Sequence, residues 1–191
     1  MIWDRLPAKV EALFDRLRSE GIEWVLVDAE GINLYRKRPR ATVDVDLVIR
    51  QRHVRKAARV LKELCTKVQE TEVHWRGVLS EVPRLLEVDL IKSGSHELFD
   101  AALDQKVEFE NVPVPRVEAL LALKYLSAIS PGRAHGDKHQ DAADFIHAFN
   151  DNRGRIDRPF LVELASRAHR GARPDFEQFL QAVEAGKPIV L

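Results

Sequence analysis

Two aspartates, Asp44 and Asp46, sit one residue apart in RPRATVDVDLVI (38–49), inside a run of β-branched and apolar residues. Side chains alternate across a strand, so both acids share one face while Val43, Val45 and Leu47 take the other. Like charges side by side repel, and strands usually avoid Asp. Two things would offset that cost: water on an exposed face, or a bound divalent cation. A hard ion such as Mg²⁺ takes oxygen ligands, commonly one or two carboxylates completed by water and substrate phosphates. Acids at i and i+2 start about 6–7 Å apart at the backbone, close enough to converge on one or two ions. LLEVDLI (85–91) supplies a third acid, Asp89, with Glu87 on the same face. Three carboxylates on neighbouring strands are the ligand set of a two-metal phosphoryl-transfer site, in which the ions activate the attacking oxygen and stabilise the leaving one.

Other chemistry-bearing residues are fewer. Lys124 lies in the apolar helical stretch RVEALLALKYLSAI, where an unpaired ammonium is costly, so it either pairs with a carboxylate such as Asp141 or reaches phosphates. Between Arg36 and Lys62 there are ten Lys or Arg against only Asp44 and Asp46. That strip suits a nucleotide or an RNA; its alternative is a solvated face paired with acids of the C-terminal helices. His135 and His139 stand at i, i+4, but a Pro-Gly loop precedes them and no third zinc ligand is evident. Cys65 is expected in the core, and Trp3, Trp24 and Trp75 as packing residues.

The elements that must position these groups follow from pattern and punctuation. Pro7 and Gly21 bracket a first helix with Val10, Leu13, Phe14 and Leu17 on one face. IEWVLVD (22–28) reads as a buried strand, 29–36 as a helical turn, 42–49 as a strand and 53–65 as a basic amphipathic helix. KVQETEVHWRGVLS (67–80) reads as an edge strand or hairpin arm and 84–92 as a central strand. A short helix near 96–104 and an extended 106–115 follow. After Pro115 the texture turns helical: 116–129, a loop at PGRAHGD, 138–149, a helix capped by Asp157 and stopping near Gly171, and a last one from Pro174 to Ala185. Strands first and helices last imply an α+β protein: a small mixed β-sheet flanked by helices over 1–115, with a C-terminal helical subdomain over 116–191 packed on it.

Composition narrows the class further. The 191 residues are 45% apolar and 31% charged, with Lys+Arg and Asp+Glu both at 30, so whole-chain charge points to no partner. One cysteine rules out an internal disulfide framework and a Cys-based zinc cluster. No apolar run approaches the roughly 20 residues of a membrane span. MIWDRLPAKVEALFDRL carries acids early and is amphipathic, unlike a signal peptide, so the expected location is cytoplasmic, with no membrane partner.

GIEWVLVDAEGINLYRKRPRATVDVDLVI resembles the start of a nucleotidyltransferase domain of the DNA polymerase β superfamily, and is closest to the abortive-infection nucleotidyltransferase toxins. Those proteins share a strand, a Gly-Gly or Gly-Ser turn, a short helix and an R-x-T-x-D-[IV]-D strand, which Arg40, Thr42, Asp44 and Asp46 match without a gap. LLEVDLIKSG matches the segment carrying the third acid, NVPVPRVEALLALKYLSA the Lys-bearing helix, and KHQDAADF a K-D-x-x-D segment, giving Lys138 and Asp141. The resemblance spans roughly 21–149. It implies a nucleotidyltransferase fold and an Mg²⁺- or Mn²⁺-dependent enzyme that moves a nucleoside monophosphate from an NTP to a hydroxyl. In that scheme Asp44, Asp46 and Asp89 are the catalytic metal ligands, and Asp89 also helps deprotonate the acceptor. Lys124, Arg40 and Thr42 bind the nucleotide. The acceptor would be an RNA end, a protein or a small molecule, and a toxin would carry a cognate antitoxin. One position departs: Asp28-Ala29 replaces the glycine pair whose amides approach the triphosphate. Asp28 would then cap the short helix or turn to Asp44 and Asp46 as a further ligand. A second reading therefore stands beside the enzyme, a non-catalytic binding module with a degenerate triphosphate loop.

Overall fold

The computed structural model describes residues 7–81 and 84–189, with the side chains of Glu81 and Arg84 left aside; Trp3 lies outside the described residues. Five strands form a mixed sheet in the order β1 (Trp24–Leu26), β2 (Asp44–Ile49), β5 (Arg84–Lys92), β4 (His74–Glu81) and β3 (Thr66–Glu70). Only β2 and β5 run parallel; the remaining pairs are antiparallel. The parallel step is bridged by α3 (Val54–Leu64) and the β3–β4 hairpin. Alternation then does what the sequence pattern implied. Val45, Leu47, Val88 and Leu90 are buried on one face, while Asp44, Asp46, Glu87 and Asp89 lie on the other.

Helix α1 (Ala8–Ser19) buries Val10, Leu13, Phe14 and Leu17, and Phe14 packs on Trp24 with ring centres 4.7 Å apart. Helix α2 (Asp28–Asn33) is only six residues long and follows β1 at once. The helical half comprises α4 (Glu97–Asp104), α5 (Val117–Ile129), α6 (His135–Asn152), α7 (Arg158–Ala165) and α8 (Ala172–Glu184). Helix α5 is the axis of the molecule: from Val117 through Tyr125 every residue is buried, against α2 and α4 on one side and α6 and α7 on the other. One continuous apolar core runs from α1 to α8.

Several boundaries differ from expectation for identifiable reasons. The 106–115 stretch is not one extended arm but a hairpin, β6 (Lys106–Phe109) with β7 (Val112–Pro115). Its two turn residues, Glu110 and Asn111, both take positive φ, the geometry that matches strand twist in a tight turn. The 67–80 arm likewise folds back on itself as β3 and β4. Helix α6 begins at His135, inside the expected loop, because Gly136 in a first turn costs less than in a helix interior. Helix α7, capped by the Asp157 carboxylate accepting from the Phe160 amide, ends at Ala165 rather than near Gly171, and α8 starts at Ala172, ahead of Pro174.

Candidate active site

Parallel pairing sets Asp46 directly beside Asp89, and Asp44 beside Glu87. That register fixes the acids on one face, which turns towards α5: Asp46, Asp89 and Lys124 line one cavity of about 330 Å³ together with Asp28, Arg76 and Arg133. A smaller one of about 220 Å³ adjoins it, lined by Asp28, Arg40, Thr42, Asp44, Asp46 and Asp141. Asp28 and Asp46 are thus shared walls, and Arg40 and Thr42 face the smaller chamber. Lys138 lines neither.

Electrostatics separate these carboxylates into two kinds. Burial, then the charges of Asp28, Asp89 and Asp44, pushes the Asp46 carboxyl well above the usual range, with Lys124 opposing too weakly to reverse it. Burial also raises Asp44, helped by Glu87 and Asp89. Asp89 is different because Arg76, its direct cross-strand neighbour, holds it in a fork, Nε to Oδ1 at 2.8 Å and Nη2 to Oδ2 at 2.6 Å. His74 approaches the same carboxylate at 3.9 Å. Arg76 was not singled out in the sequence; its spacing on an alternating strand opposite an acid carried the signal only once the register was known.

Lys124 sits at the centre of a second cluster. Its ammonium is buried, donates to Asp28 and to Asp141 at 2.9 Å, and lies 3.1 Å from Asp144. Burial disfavours the charged amine, yet the three carboxylates outweigh it and hold its pKa above the ordinary value. Asp144 is also gripped by Arg36 at 2.7 Å and by the Arg40 guanidinium at 3.0 Å, and Arg133 reaches Asp141 at 3.0 Å. Burial pushes Asp144 up, but the Arg40 hydrogen bond and Lys124 bring it below the usual carboxylate range. Among the described residues, Asp28, Asp141 and Asp144 are the one group of three whose ligand oxygens come within 4.8 Å of one another, close enough to share an ion. In this fold Lys124 already stands among them, so their charge is met from within. Asp44, Asp46 and Asp89 spread wider, and only Asp89 among them has a fork of its own.

Asp28 does not cap the short helix as one expectation had it. Val27, not Asp28, is the N-cap of α2; the Asp28 side chain pairs with Lys124, and its charge is also the largest that acts on Asp46. Its φ is +50°, the left-handed region that glycine occupies freely and Asp tolerates. The backbone therefore keeps a glycine-type turn while the side chain adds a charge. Gly31, three residues on, is needed for space: a Cβ there would stand 2.8 Å from the Leu26 carbonyl oxygen. Asn33, also missed in the sequence, fastens the loop before β2 by donating to the Arg40 carbonyl at 2.8 Å and accepting from the Arg40 amide at 3.1 Å.

The basic strip is largely spoken for. Arg36 and Arg40 serve Asp144, Arg50 and Arg52 pair with Glu23, Lys56 with Glu20, and Lys62 lies over the Trp75 ring. Of the strip, Lys37, Arg38, Arg55 and Arg59 have no acid partner for their side chains among the described residues. His135 and His139 bring their Nε2 atoms within 3.1 Å on an exposed face. No helix among the described residues is long and apolar enough to cross a membrane.

A parallel acid-bearing strand pair, a short helix directly after β1 and a Lys-bearing helix across the sheet together define a nucleotidyltransferase fold, and solved structures bear this out. An antigenic nucleotidyltransferase-like protein from Paracoccidioides brasiliensis superposes with a TM-score of 0.54 at 20% identity, over 91% of this chain and 90% of that one. ANT(2'')-Ia in complex with adenylyl-2''-tobramycin gives a TM-score of 0.57 at 13% identity, over 84% and 97%. The same antibiotic-resistance factor in solution gives 0.54 at 12% identity, over 94% and 95%. No protein-family model matches the sequence, and no curated protein matches it.

Proposed function

We propose that this protein transfers a nucleoside monophosphate from an NTP to a hydroxyl acceptor. The observation that carries the proposal is the Asp46–Asp89 register facing Lys124 across one cavity. Asp44, Asp46 and Asp89 suit a divalent ion: they are hard oxygen donors, and the crowding of negative charge at Asp46 is of the kind a cation relieves. When bound there, Mg²⁺ would supply charge neutralisation for the phosphates and a lowered pKa for the attacking hydroxyl. The acceptor oxygen forms a bond to the α-phosphorus as the bond to pyrophosphate breaks, and the hydroxyl proton passes to a carboxylate. Asp89 suits that role, because a carboxylate has about four lone-pair sites and the Arg76 fork uses two of them. Lys124 neutralises phosphate charge once it exchanges Asp28 for the triphosphate.

The acceptor in this proposal is a small molecule. Internal pairing of Arg36, Arg40, Arg50, Arg52 and Lys56 leaves little of the basic strip for RNA, and the ANT(2'')-Ia complex supports a small-molecule hydroxyl as the receiving group. Resemblance to the abortive-infection toxins is what supports an RNA or protein acceptor and an antitoxin. The Asp28–Lys124 pair favours the second reading, a binding module that keeps the fold without the chemistry. Titration with a non-hydrolysable ATP analogue, with and without Mg²⁺, separates the two. Mg²⁺-dependent binding that Asp46→Asn abolishes is expected; absence of binding at millimolar Mg²⁺ refutes the enzyme.

A further inference from the structure

Helix α5 presents a second side to the molecule. Tyr125, the residue after Lys124, turns into the helical half, with ring centres 4.8 Å from Phe176 and 5.2 Å from Phe179. The residue is only 2% exposed, its ring being enclosed, and its hydroxyl makes no hydrogen bond to another described residue. The hydroxyl is free to take a ligand from the space in front of it. What Tyr125 lines is a cavity of about 700 Å³, walled by Leu126, Ile129, Phe179, Ala182 and Ile189. Asp175 lines it too, near enough that its charge adds to burial in raising the Tyr125 hydroxyl to about 12. His169 stands 3.8 Å from that carboxylate and shares the cavity wall. This chamber is not isolated from the acids: Leu126 and Ser130, at the end of α5, line both it and the cavity holding Asp46, Asp89 and Lys124.

We infer that this cavity binds an amphiphilic amine, with its ammonium between the Asp175 carboxylate and the Tyr125 hydroxyl oxygen and its apolar body against Leu126, Ile129 and Ala182. In such a complex the phenol oxygen accepts from the ammonium, Asp175 meets its charge, and the apolar body covers walls that water wets poorly. An amine that also bears a hydroxyl, extended past Ser130, would bring that hydroxyl towards Asp46 and Asp89 and serve as the acceptor. The acceptor role rests on the nucleotidyltransferase proposal; the binding site does not.

The test uses 8-amino-1-octanol, octylamine and octanoate as probes, titrated into the full chain and followed by amide chemical shifts, without nucleotide. Both amines should shift the amides of Tyr125, Ile129 and Ala182, and octanoate should bind about two- to fivefold more weakly, the scale of an exposed charge pair. Asp175→Asn should erase that preference. Tyr125→Phe, which keeps the ring packing, should weaken both amines about two- to tenfold, as for one lost hydrogen bond. Ala182→Trp should block all three probes in a protein whose circular dichroism is unchanged, and the Tyr125→Phe result stands by itself if that variant does not fold. Octanoate binding as tightly as octylamine, or amine affinity indifferent to Tyr125→Phe and Asp175→Asn, overturns the site. ATP with Mg²⁺ is titrated into the same samples. Amine binding without nucleotide binding overturns the acceptor role alone; nucleotide binding without amine binding overturns this inference and leaves the transferase proposal standing.

Discussion

Replacing Asp28 by glycine should tighten nucleotide binding while leaving the fold intact. The stability terms nearly cancel. Glycine takes a φ of +50° freely, whereas a residue with a Cβ pays roughly 1 kcal/mol there. Against that, Lys124 loses one of three acid partners, the most exposed of them, and keeps Asp141 at 2.9 Å and Asp144 at 3.1 Å. Asp28 is 31% exposed, so the lost pair is discounted for solvent to about 1 kcal/mol. The binding terms do not cancel. A carboxylate about 6 Å from one phosphate charge, at an effective dielectric near 20, repels it by roughly 3 kcal/mol before salt screening. Lys124, released from Asp28, adds attraction of the same sign. After screening, at least a tenfold gain in affinity remains. Calorimetric titration of wild type and Asp28→Gly with an ATP analogue and Mg²⁺ measures it, and a thermal melt checks the fold. Unchanged or weaker nucleotide binding in a folded Asp28→Gly protein refutes the reasoning. Weaker Mg²⁺ binding would show that Asp28 serves the ion instead.

Asp46→Asn should stabilise the protein as it abolishes Mg²⁺-dependent nucleotide binding, because it removes a buried charge crowded by Asp28, Asp89 and Asp44; each 1 kcal/mol gained should raise Tm by about 2–4 °C. Its folded pKa lies above the unfolded one, so wild-type stability should rise as pH falls through the folded value towards the unfolded one, and melts of Asp46→Asn should lack that rise. Asp144→Asn should cost about 3–5 kcal/mol in urea unfolding, since it strands Arg36, Arg40 and Lys124 around a buried neutral amide. The folded pKa of Asp144 is depressed, so its contribution is complete above the ordinary carboxylate range and is lost as pH falls towards the lower folded value, which an acid titration of wild type against Asp144→Asn will show. Gly31→Ala should destabilise by about 1–3 kcal/mol in the same unfolding assay, because its Cβ meets backbone at 2.8 Å and Leu120 Cδ2 at 3.3 Å.

The acids of β2 and β5 were legible because a strand has a period of two and their neighbours are apolar; no other geometry puts Val45, Leu47, Val88 and Leu90 inside together. What the pattern could not supply was register. Placing Asp46 against Asp89, and Arg76 against Asp89 from the other side, depends on strand pairings across 13 residues or more. Charge partners were harder still. The strip from Arg36 to Lys62 has two acids of its own, and the carboxylates that meet it come from Glu20, Glu23, Asp100, Asp104 and Asp144. Asp28 and Lys124 are separated by 96 residues, and nothing local marks them as a pair. Yet that pair carries the functional question. An acid at a glycine-type φ beside Asp46 adds strain and repulsion together, and both are tolerable only while Lys124 answers its charge. The same ammonium is the one a triphosphate would need. In the proposed enzyme nucleotide and Asp28 would compete for a single cation, and the outcome would be set by how many negative charges each brings: three or four on the triphosphate, one on the carboxylate. That imbalance would let a nucleotide win at Lys124, at reduced affinity, and is why the proposed enzyme is compatible with a residue that at first sight argues against it.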